Sequence, residues 1–275
     1  MQRALRVIED LAVILGGTRD PRLLFLALQD RFARREMARL LRAGHRIRVD
    51  HAGYVVRLGG AAFRFSRDEL TTGLWAVSQR FVGGEYGELD VRDAVVVDVG
   101  AFIADTALYF VEGGAYRVLA YEPFGINFAR AEANVELSGA GDRITLVNAG
   151  VAAASRSLVA AGGERPSPEL VTAPADRGQD VRLLSFAEVL AEAVAVAGGR
   201  RLVCKLDCEG AEFDILLGAP LPKEFAHVGQ LMMETHRRSP KPLEDLLERE
   251  GFVVRVASTP VAEDARLAMV TATRT

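Results

Sequence analysis

Residues 95–110 read VVVDVGAFIADTALYF, and this stretch decides the fold class. Its first five residues are apolar apart from Asp98, which is typical of a strand that helices cover on both faces. Gly100 then permits a tight turn and a close approach of the backbone to a ligand. The chain continues as a helix. The stretch therefore predicts the strand, turn and helix with which α/β proteins bind nucleotide cofactors.

The rest of the chain from residue 91 repeats this alternation, as a doubly wound α/β sheet does. We predict strands at 95–99, 117–122, 143–149, 202–207, 230–235, 252–256 and 267–273, and helices at 105–112, 125–138, 185–197, 211–217 and 241–250. The link before the last strand is short, polar and contains Pro260, so that strand should run antiparallel to the sixth. We expect a Rossmann-like, mostly parallel seven-strand sheet with an antiparallel last strand.

Residues 1–90 show a different pattern, which predicts an N-terminal cap on a Rossmann-like domain at 91–275. Apolar positions at helical spacing predict two helices within 1–43. Residues 46–66 read as a small antiparallel meander, and part of 68–90 is predicted to be helical. The Pro- and Gly-rich stretch 162–180 is either a solvated insertion or a lid over the substrate.

Composition sets limits on function. The 275 residues are 49% hydrophobic, enough for one substantial core and an appendage. The net charge of −3 provides no basic field for nucleic acid, so we expect no nucleic-acid partner. Cys204 and Cys208 lie four residues apart in the run CKLDC, which reads as a β-strand, so they cannot pair without breaking the strand. Without a secretory pattern or an apolar run near about 20 residues, we expect a cytoplasmic protein with no membrane span.

Charge at the first turn distinguishes between cofactors. A dinucleotide rests its pyrophosphate on the helix N-terminus, where Asp98 and Asp105 would repel it. S-adenosylmethionine has no phosphate and carries a sulfonium and an ammonium group, which Asp98 can attract. The alternative is a capping Asp without a ligand. We assign the following residues of this turn to the cofactor site: Asp98, Gly100, Ala101, Phe102, Asp105 and Thr106.

The next strand ends in the second signal, LAYEPFGIN at 119–127. Glu122 can accept both ribose hydroxyls of a nucleoside, and Pro123 and Phe124 would form an apolar wall for adenine. Asn148, after the third strand, is a candidate for the adenine edge or simply a turn-forming residue. Alone this signal suits NAD equally well, but together with Asp98 it favours the methyl donor.

The fourth strand leads into a group of acidic residues in LVCKLDCEGAEFDILLGA, residues 202–219. Lys205 and Asp207 lie on the same face of this strand. Asp207, Glu209 and Glu212 then crowd the turn at the carboxyl edge of the sheet, which is costly unless they bind something. The alternative is a solvated helix N-terminus that favours acidic side chains.

The fifth strand ends in METH and brings Glu234 and His236 to the same edge. We predict that His236 or Asp207 removes the proton from a hydroxyl nucleophile, while Glu209 and Glu234 orient or assist. A lone histidine in a loop is more often structural, so this alternative stays open.

These motifs resemble those of FkbM-type S-adenosylmethionine-dependent methyltransferases. The resemblance covers roughly residues 80–275 and rests on GEYGEL (84–89), DVGAFIADTA (98–107), YEPF (121–124), KLDCEGAE (205–212) and METH (233–236). It implies O-methylation of a small-molecule or glycan hydroxyl. Glu85 and Tyr86 are expected to close the donor pocket. The chain departs from the family at Phe102 and Ala104, where Asn and Gly are usual.

Other functions remain open at this point. Although we predict no metal, Asp207, Glu209, Glu234 and His236 offer ligands for magnesium in a metal-assisted O-methyltransferase. An NAD-dependent oxidoreductase conflicts with the acidic first turn. Phe102 and Ala104 would suit a non-catalytic nucleotide-binding scaffold. The apolar N-terminal helices would serve a homodimer as well as a cap, and the identity of the acceptor is not encoded in any motif.

Overall fold

The computed structural model describes residues 2–18, 20–161, 178–236, 238–261 and 265–274. The chain divides into two compact units. One consists of Met1–Tyr86 with Ala133–Ala140, and the other of Gly87–Glu132 with Gly141–Thr275. The stretch interpreted as an insertion or lid lies mostly outside the described residues.

The described part of the first unit contains helices followed by an antiparallel meander. Its elements are α1 (Gln2–Gly17), α2 (Pro21–Gln29), α3 (Arg31–Arg42), β1 (Arg46–Asp50), β2 (Gly53–Leu58), β3 (Ala61–Phe65) and α4 (Leu70–Phe81). The described part of residues 1–43 holds three helices, where two were predicted. Asp30 causes the extra break, because its side chain accepts hydrogen bonds from the N–H groups of Phe32 and Ala33 and so caps α3.

The second unit alternates strands and helices. Its elements, with α6 extending into the first unit, are β4 (Val95–Val99), α5 (Asp105–Glu112), β5 (Arg117–Tyr121), α6 (Gly125–Ser138), β6 (Ile144–Val147), β7 (Gly150–Ala152), β8 (Arg156–Ala161), β9 (Gly178–Ser185), α7 (Phe186–Ala197), β10 (Leu202–Leu206), α8 (Glu212–Leu217), a 3₁₀ turn (Lys223–His227), β11 (Val228–His236), α9 (Lys241–Arg249), β12 (Phe252–Val261) and β13 (Ala265–Arg274). None of the helices described is both long and apolar enough to cross a membrane.

The main sheet confirms the predicted Rossmann-like class. Its strand order is β12-β13-β11-β10-β4-β5-β6. The five strands β11, β10, β4, β5 and β6 are parallel to one another, while β13 is antiparallel to both β11 and β12. The polar link before the last strand is mostly strand, since β12 and β13 pair as far as Val261 and Ala265.

A second, smaller sheet was not anticipated. It has the order β7-β9-β8, with β7 parallel and β8 antiparallel to β9. β7 is only three residues long, and half of the six residues of β8 are alanine or serine, so a period-2 alternation of apolar and polar residues does not stand out.

The sheet topology places the predicted cofactor-binding and catalytic residues of this unit at one edge of the main sheet. The cores of β4, β5, β10 and β11 are buried, as Val97, Leu119, Cys204 and Leu231 show. Because these strands are parallel, their carboxyl ends meet at the same edge of the sheet, where ligands bind in open α/β folds. The turns after β4, β5 and β10 and the end of β11 therefore form the candidate site.

Candidate functional site

The turn after β4 is held by its neighbours in the sheet. The N–H groups of Gly100 and Ala101 both donate to the carbonyl oxygen of Tyr121, at 3.0 Å. Gly100 has φ +80°, and a Cβ atom there would overlap the carbonyl oxygen of Asp207. The end of β10 thus approaches this turn so closely that only glycine fits.

Two residues of the same turn have backbone angles that L-residues rarely adopt. Phe102 has φ 47° and Ala104 has φ 64°. A left-handed conformation costs a non-glycine residue about 1–2 kcal/mol. These are the two positions at which the chain departs from the FkbM pattern of Asn and Gly, the residue types that tolerate this conformation best.

Asp98 lies at the end of β4 and is completely buried. Its Oδ1 atom is 2.9 Å from Nζ of Lys205, and its Oδ2 atom accepts a hydrogen bond from the Thr106 hydroxyl at 2.5 Å. The negative charge of Asp98, which was expected to repel a pyrophosphate, is balanced by a buried lysine on the adjacent strand. Contact between Asp98 and the donor stays a prediction.

Glu122 follows β5 and is 4% exposed. Its Oε2 accepts a hydrogen bond from the N–H of Phe102 at 2.9 Å, and its Oε1 accepts from the N–H of Phe124 and from Nδ2 of Asn127. A carboxylate has about four acceptor positions, so room remains for one further donor rather than the two that a bidentate ribose contact requires. Burial raises the pKa of Glu122 to about 7, although these hydrogen bonds oppose the rise.

Asn148 fixes the turn that carries the predicted adenine wall. Its Nδ2 atom donates to the carbonyl oxygens of Glu122 at 2.9 Å and Pro123 at 3.3 Å. Pro123 and Phe124 are partly exposed, as a wall that meets a ligand must be. The turn-forming role weighed for Asn148 is therefore present, and its contact with adenine stays a prediction.

The acidic residues and the histidine meet at the ends of β10 and β11. His236 Nε2 is 3.4 Å from Glu209 Oε2 and 3.9 Å from Glu234 Oε1. Potential ligand atoms of Asp207, Glu234 and His236 all lie within 4.8 Å of one another. The structure thus brings together the four residues that the sequence predicted for catalysis. We call them the acceptor edge.

Glu212 lies beneath the acceptor edge and was left out of the predicted site. Its side chain is completely buried, with Oε1 accepting a hydrogen bond from the N–H of Cys208 at 2.7 Å and lying 4.0 Å from His236 Nδ1. Among the described residues, Oε2 of Glu212 and Nδ1 of His236 have no hydrogen-bond partner. Burial raises the pKa of both Glu212 and Glu209, and a positive charge on His236 opposes this rise.

Glu85 and Tyr86 belong to the first unit and are described within it. Glu85 forms an ion pair with Arg80, whose guanidinium carbon lies 5.2 Å from the centre of the Tyr86 ring. Tyr86 is completely buried. Their predicted role in closing the donor pocket remains a prediction.

Comparisons with known proteins give the following relationships. Residues 98–254, more than half of the chain, match the methyltransferase FkbM domain family. No curated protein matches the chain significantly.

Methyltransferase FkbM of Methylobacillus flagellatus is 17% identical, with 90% of this chain and 58% of that chain covered and a TM-score of 0.48. This chain thus spans less than two thirds of that protein. A precorrin-6y C5,15-methyltransferase of Geobacter metallireducens is 15% identical over 72% and 89% of the two chains, with a TM-score of 0.42. TrmK of M. capricolum, solved with S-adenosyl-homocysteine, is 11% identical over 70% and 68%, with a TM-score of 0.43.

The fold and the family match define a Rossmann-like, S-adenosylmethionine-dependent methyltransferase. The chain belongs to the FkbM methyltransferase family. The residues at the carboxyl edge fit this donor. Glu122 accepts three hydrogen bonds and so retains one acceptor position for a ribose hydroxyl.

Proposed function

We propose that this methyltransferase transfers the methyl group to a hydroxyl oxygen of a small molecule or glycan. The proposal rests on an imidazole that lies among carboxylates near the turn after β4. We call this turn (residues 100–104), where the methyl donor is expected to bind, the donor turn. His236 Nε2 lies 3.4 Å from Glu209 Oε2, and the N–H of Asp207 donates to the carbonyl oxygen of Val99 at 3.1 Å. A proton acceptor and the donor turn therefore share one sheet edge.

S-adenosylmethionine, when bound, supplies a methyl group already activated by its sulfonium. The protein has to orient the acceptor and remove its proton, because an aliphatic hydroxyl is a poor nucleophile. His236 Nε2 would take that proton, and the carboxylate of Glu209 would stabilise the resulting imidazolium. Glu234, at 3.9 Å, would add to this stabilisation. Asp207 is the other candidate base of the acceptor edge.

The test is to supply the purified enzyme with S-adenosylmethionine and matched acceptors that differ in a single nucleophilic group. Hydroxyl compounds, including phenols, aliphatic alcohols and sugars, would be compared with their amine and thiol analogues. We expect S-adenosylhomocysteine release with hydroxyl compounds and a methoxy signal in the NMR spectrum of the product. Methylation confined to nitrogen or sulfur would overturn the proposal.

A second candidate is metal-assisted O-methylation, favoured by the clustered ligand atoms of Asp207, Glu234 and His236. Two carboxylates and an imidazole suit magnesium or manganese. A cation there would lower the pKa of the acceptor hydroxyl and would occupy His236 as a ligand. Dialysis against EDTA decides between the candidates. Undiminished turnover after dialysis excludes the metal, whereas loss of turnover that magnesium or manganese restores would favour it over the histidine base.

A further inference from the structure

Lys205 is a buried cation in the middle of the main sheet. It lies on β10, directly opposite Asp98 on β4 in the strand register, and its side chain is 1% exposed. Burying an ammonium group is costly unless it is paired and hydrogen-bonded. The donor turn lies at the end of β4, so the partners of this ammonium bear on the geometry of that turn.

The Lys205 ammonium donates hydrogen bonds to two backbone carbonyls and forms an ion pair with Asp98. Asp98 Oδ1 is 2.9 Å from Nζ, the carbonyl oxygen of Gly100 is 2.7 Å away, and that of Val99 is 3.2 Å away. The Val99 oxygen also accepts from the N–H of Asp207. One side chain thus joins the last residue of β4, the first residue of the turn and the strand that leads to the acceptor edge.

We infer that Lys205 is a positioning residue for the methyl donor. By donating to the Gly100 carbonyl it fixes the peptide plane at the one position of the turn where a Cβ would clash. Its ion pair with Asp98 holds in place the carboxylate that accepts the Thr106 hydrogen bond. Asp98 then acts on the donor through the turn rather than by contact. Lys205 would thus act on binding of the methyl donor, whatever the chemical nature of the acceptor.

The experiment measures binding of S-adenosylhomocysteine by calorimetry, without any acceptor, in Lys205→Met, Asp98→Asn and the double variant. Lys205→Met should weaken binding at least tenfold and lower the Tm, because Asp98 is left buried and unpaired. The double variant removes both charges and should recover most of the Tm. Its affinity should stay weak, since the Gly100 carbonyl still lacks its donor.

Two further measurements separate positioning from general loss of stability. Val228→Ala removes buried volume at the opposite end of β11, and should lower the Tm while leaving the affinity unchanged. Hydrogen exchange should quicken at residues 99–106 in the Lys205 variants and not in Val228→Ala. Wild-type affinity in the double variant would overturn the inference, because Lys205 would then only neutralise Asp98. If Lys205→Met does not fold, the double variant still decides.

Because the probe binds without an acceptor, these outcomes do not depend on O-methylation. An enzyme that methylated nitrogen would still show the effect of Lys205 on donor affinity. Conversely, confirmed O-methylation combined with wild-type affinity in the double variant would overturn this inference alone.

Discussion

The N–H of Phe102 donates a hydrogen bond to Oε2 of Glu122 at 2.9 Å, which ties the turn after β4 to the end of β5. Three donors in all converge on this carboxylate, yet burial still raises its pKa to about 7. Desolvation therefore outweighs the hydrogen bonds. The charge of a residue assigned to the ribose consequently changes within the neutral pH range.

We expect donor affinity to rise with pH through about 7, because the ionised carboxylate of Glu122 is the better acceptor for a ribose hydroxyl. Calorimetric titration with S-adenosylhomocysteine from about pH 6 to about pH 8 would measure it. Glu122→Gln, which does not titrate, should bind more weakly at the upper end and show a flatter profile. Equal pH dependence in both proteins would show that another group is responsible.

The raised pKa of Glu122 predicts that its contribution to the stability of the fold falls as pH rises, whereas donor affinity increases. A carboxyl group whose folded pKa is raised stabilises the fold fully below its unfolded pKa of about 4.5, and this contribution is lost as pH rises through about 7. The free energy of unfolding of Glu122→Gln relative to wild type should therefore increase between those two values. Urea denaturation at several pH values would test this, and a difference that stays constant would argue against a raised pKa.

Ala104 and Ala107 form a matched pair for measuring strain in the donor turn. Both are completely buried, but Ala104 has φ 64° whereas Ala107 lies within α5. Replacement by glycine removes one buried methyl group from each and increases unfolded-state entropy equally. Only Ala104→Gly also relieves a left-handed conformation, worth about 1–2 kcal/mol. By urea denaturation, Ala104→Gly should thus retain at least about 1 kcal/mol more stability. Equal losses would mean that the turn is unstrained.

Local patterns account for much of what the sequence predicted. The bounds expected for β4, α5 and α6 agree with those observed, because buried strands, glycine turns and amphipathic helices are encoded within short windows. The antiparallel β13 followed from the length of one link. The extra helix break at Asp30 was missed, since its cap depends on a side chain that also suits a helix surface.

The site was predicted less fully for a physical reason. The carboxyl ends of parallel strands lie at one edge of a sheet whatever the register between the strands. The proximity of Asp207, Glu209, Glu234 and His236 could therefore be predicted. The pairing of Lys205 with Asp98 depends on the register between β10 and β4, which residues 107 positions apart do not reveal. Its one available signal was a lysine in an otherwise apolar strand, which requires a buried partner.

Gly100 is expected to tolerate no side chain. In Gly100→Ala the new Cβ would overlap the Asp207 carbonyl at a φ of +80°, so β4 and β10 would have to separate at the donor turn. We expect a lower Tm and at least a tenfold weaker affinity for S-adenosylhomocysteine. Gly141→Ala is the control, because nothing lies within 4 Å of its Cβ position. Unchanged binding in Gly100→Ala would indicate that the donor does not use this turn.

His236 offers the most direct test of the acceptor edge. Its side chain is 12% exposed and faces Glu209, Glu212 and Glu234. Removal of a general base lowers the rate of proton-transfer catalysis by about 10²–10⁴-fold. We therefore expect His236→Asn to lower kcat by that factor while the KM for the methyl donor changes little. His227→Asn, at an exposed position in the 3₁₀ turn, should retain wild-type kcat.

Glu209→Gln should lower kcat less than His236→Asn, because it removes only the charge that stabilises the imidazolium. If His236→Asn turned over normally and Asp207→Asn did not, the proton acceptor would be Asp207.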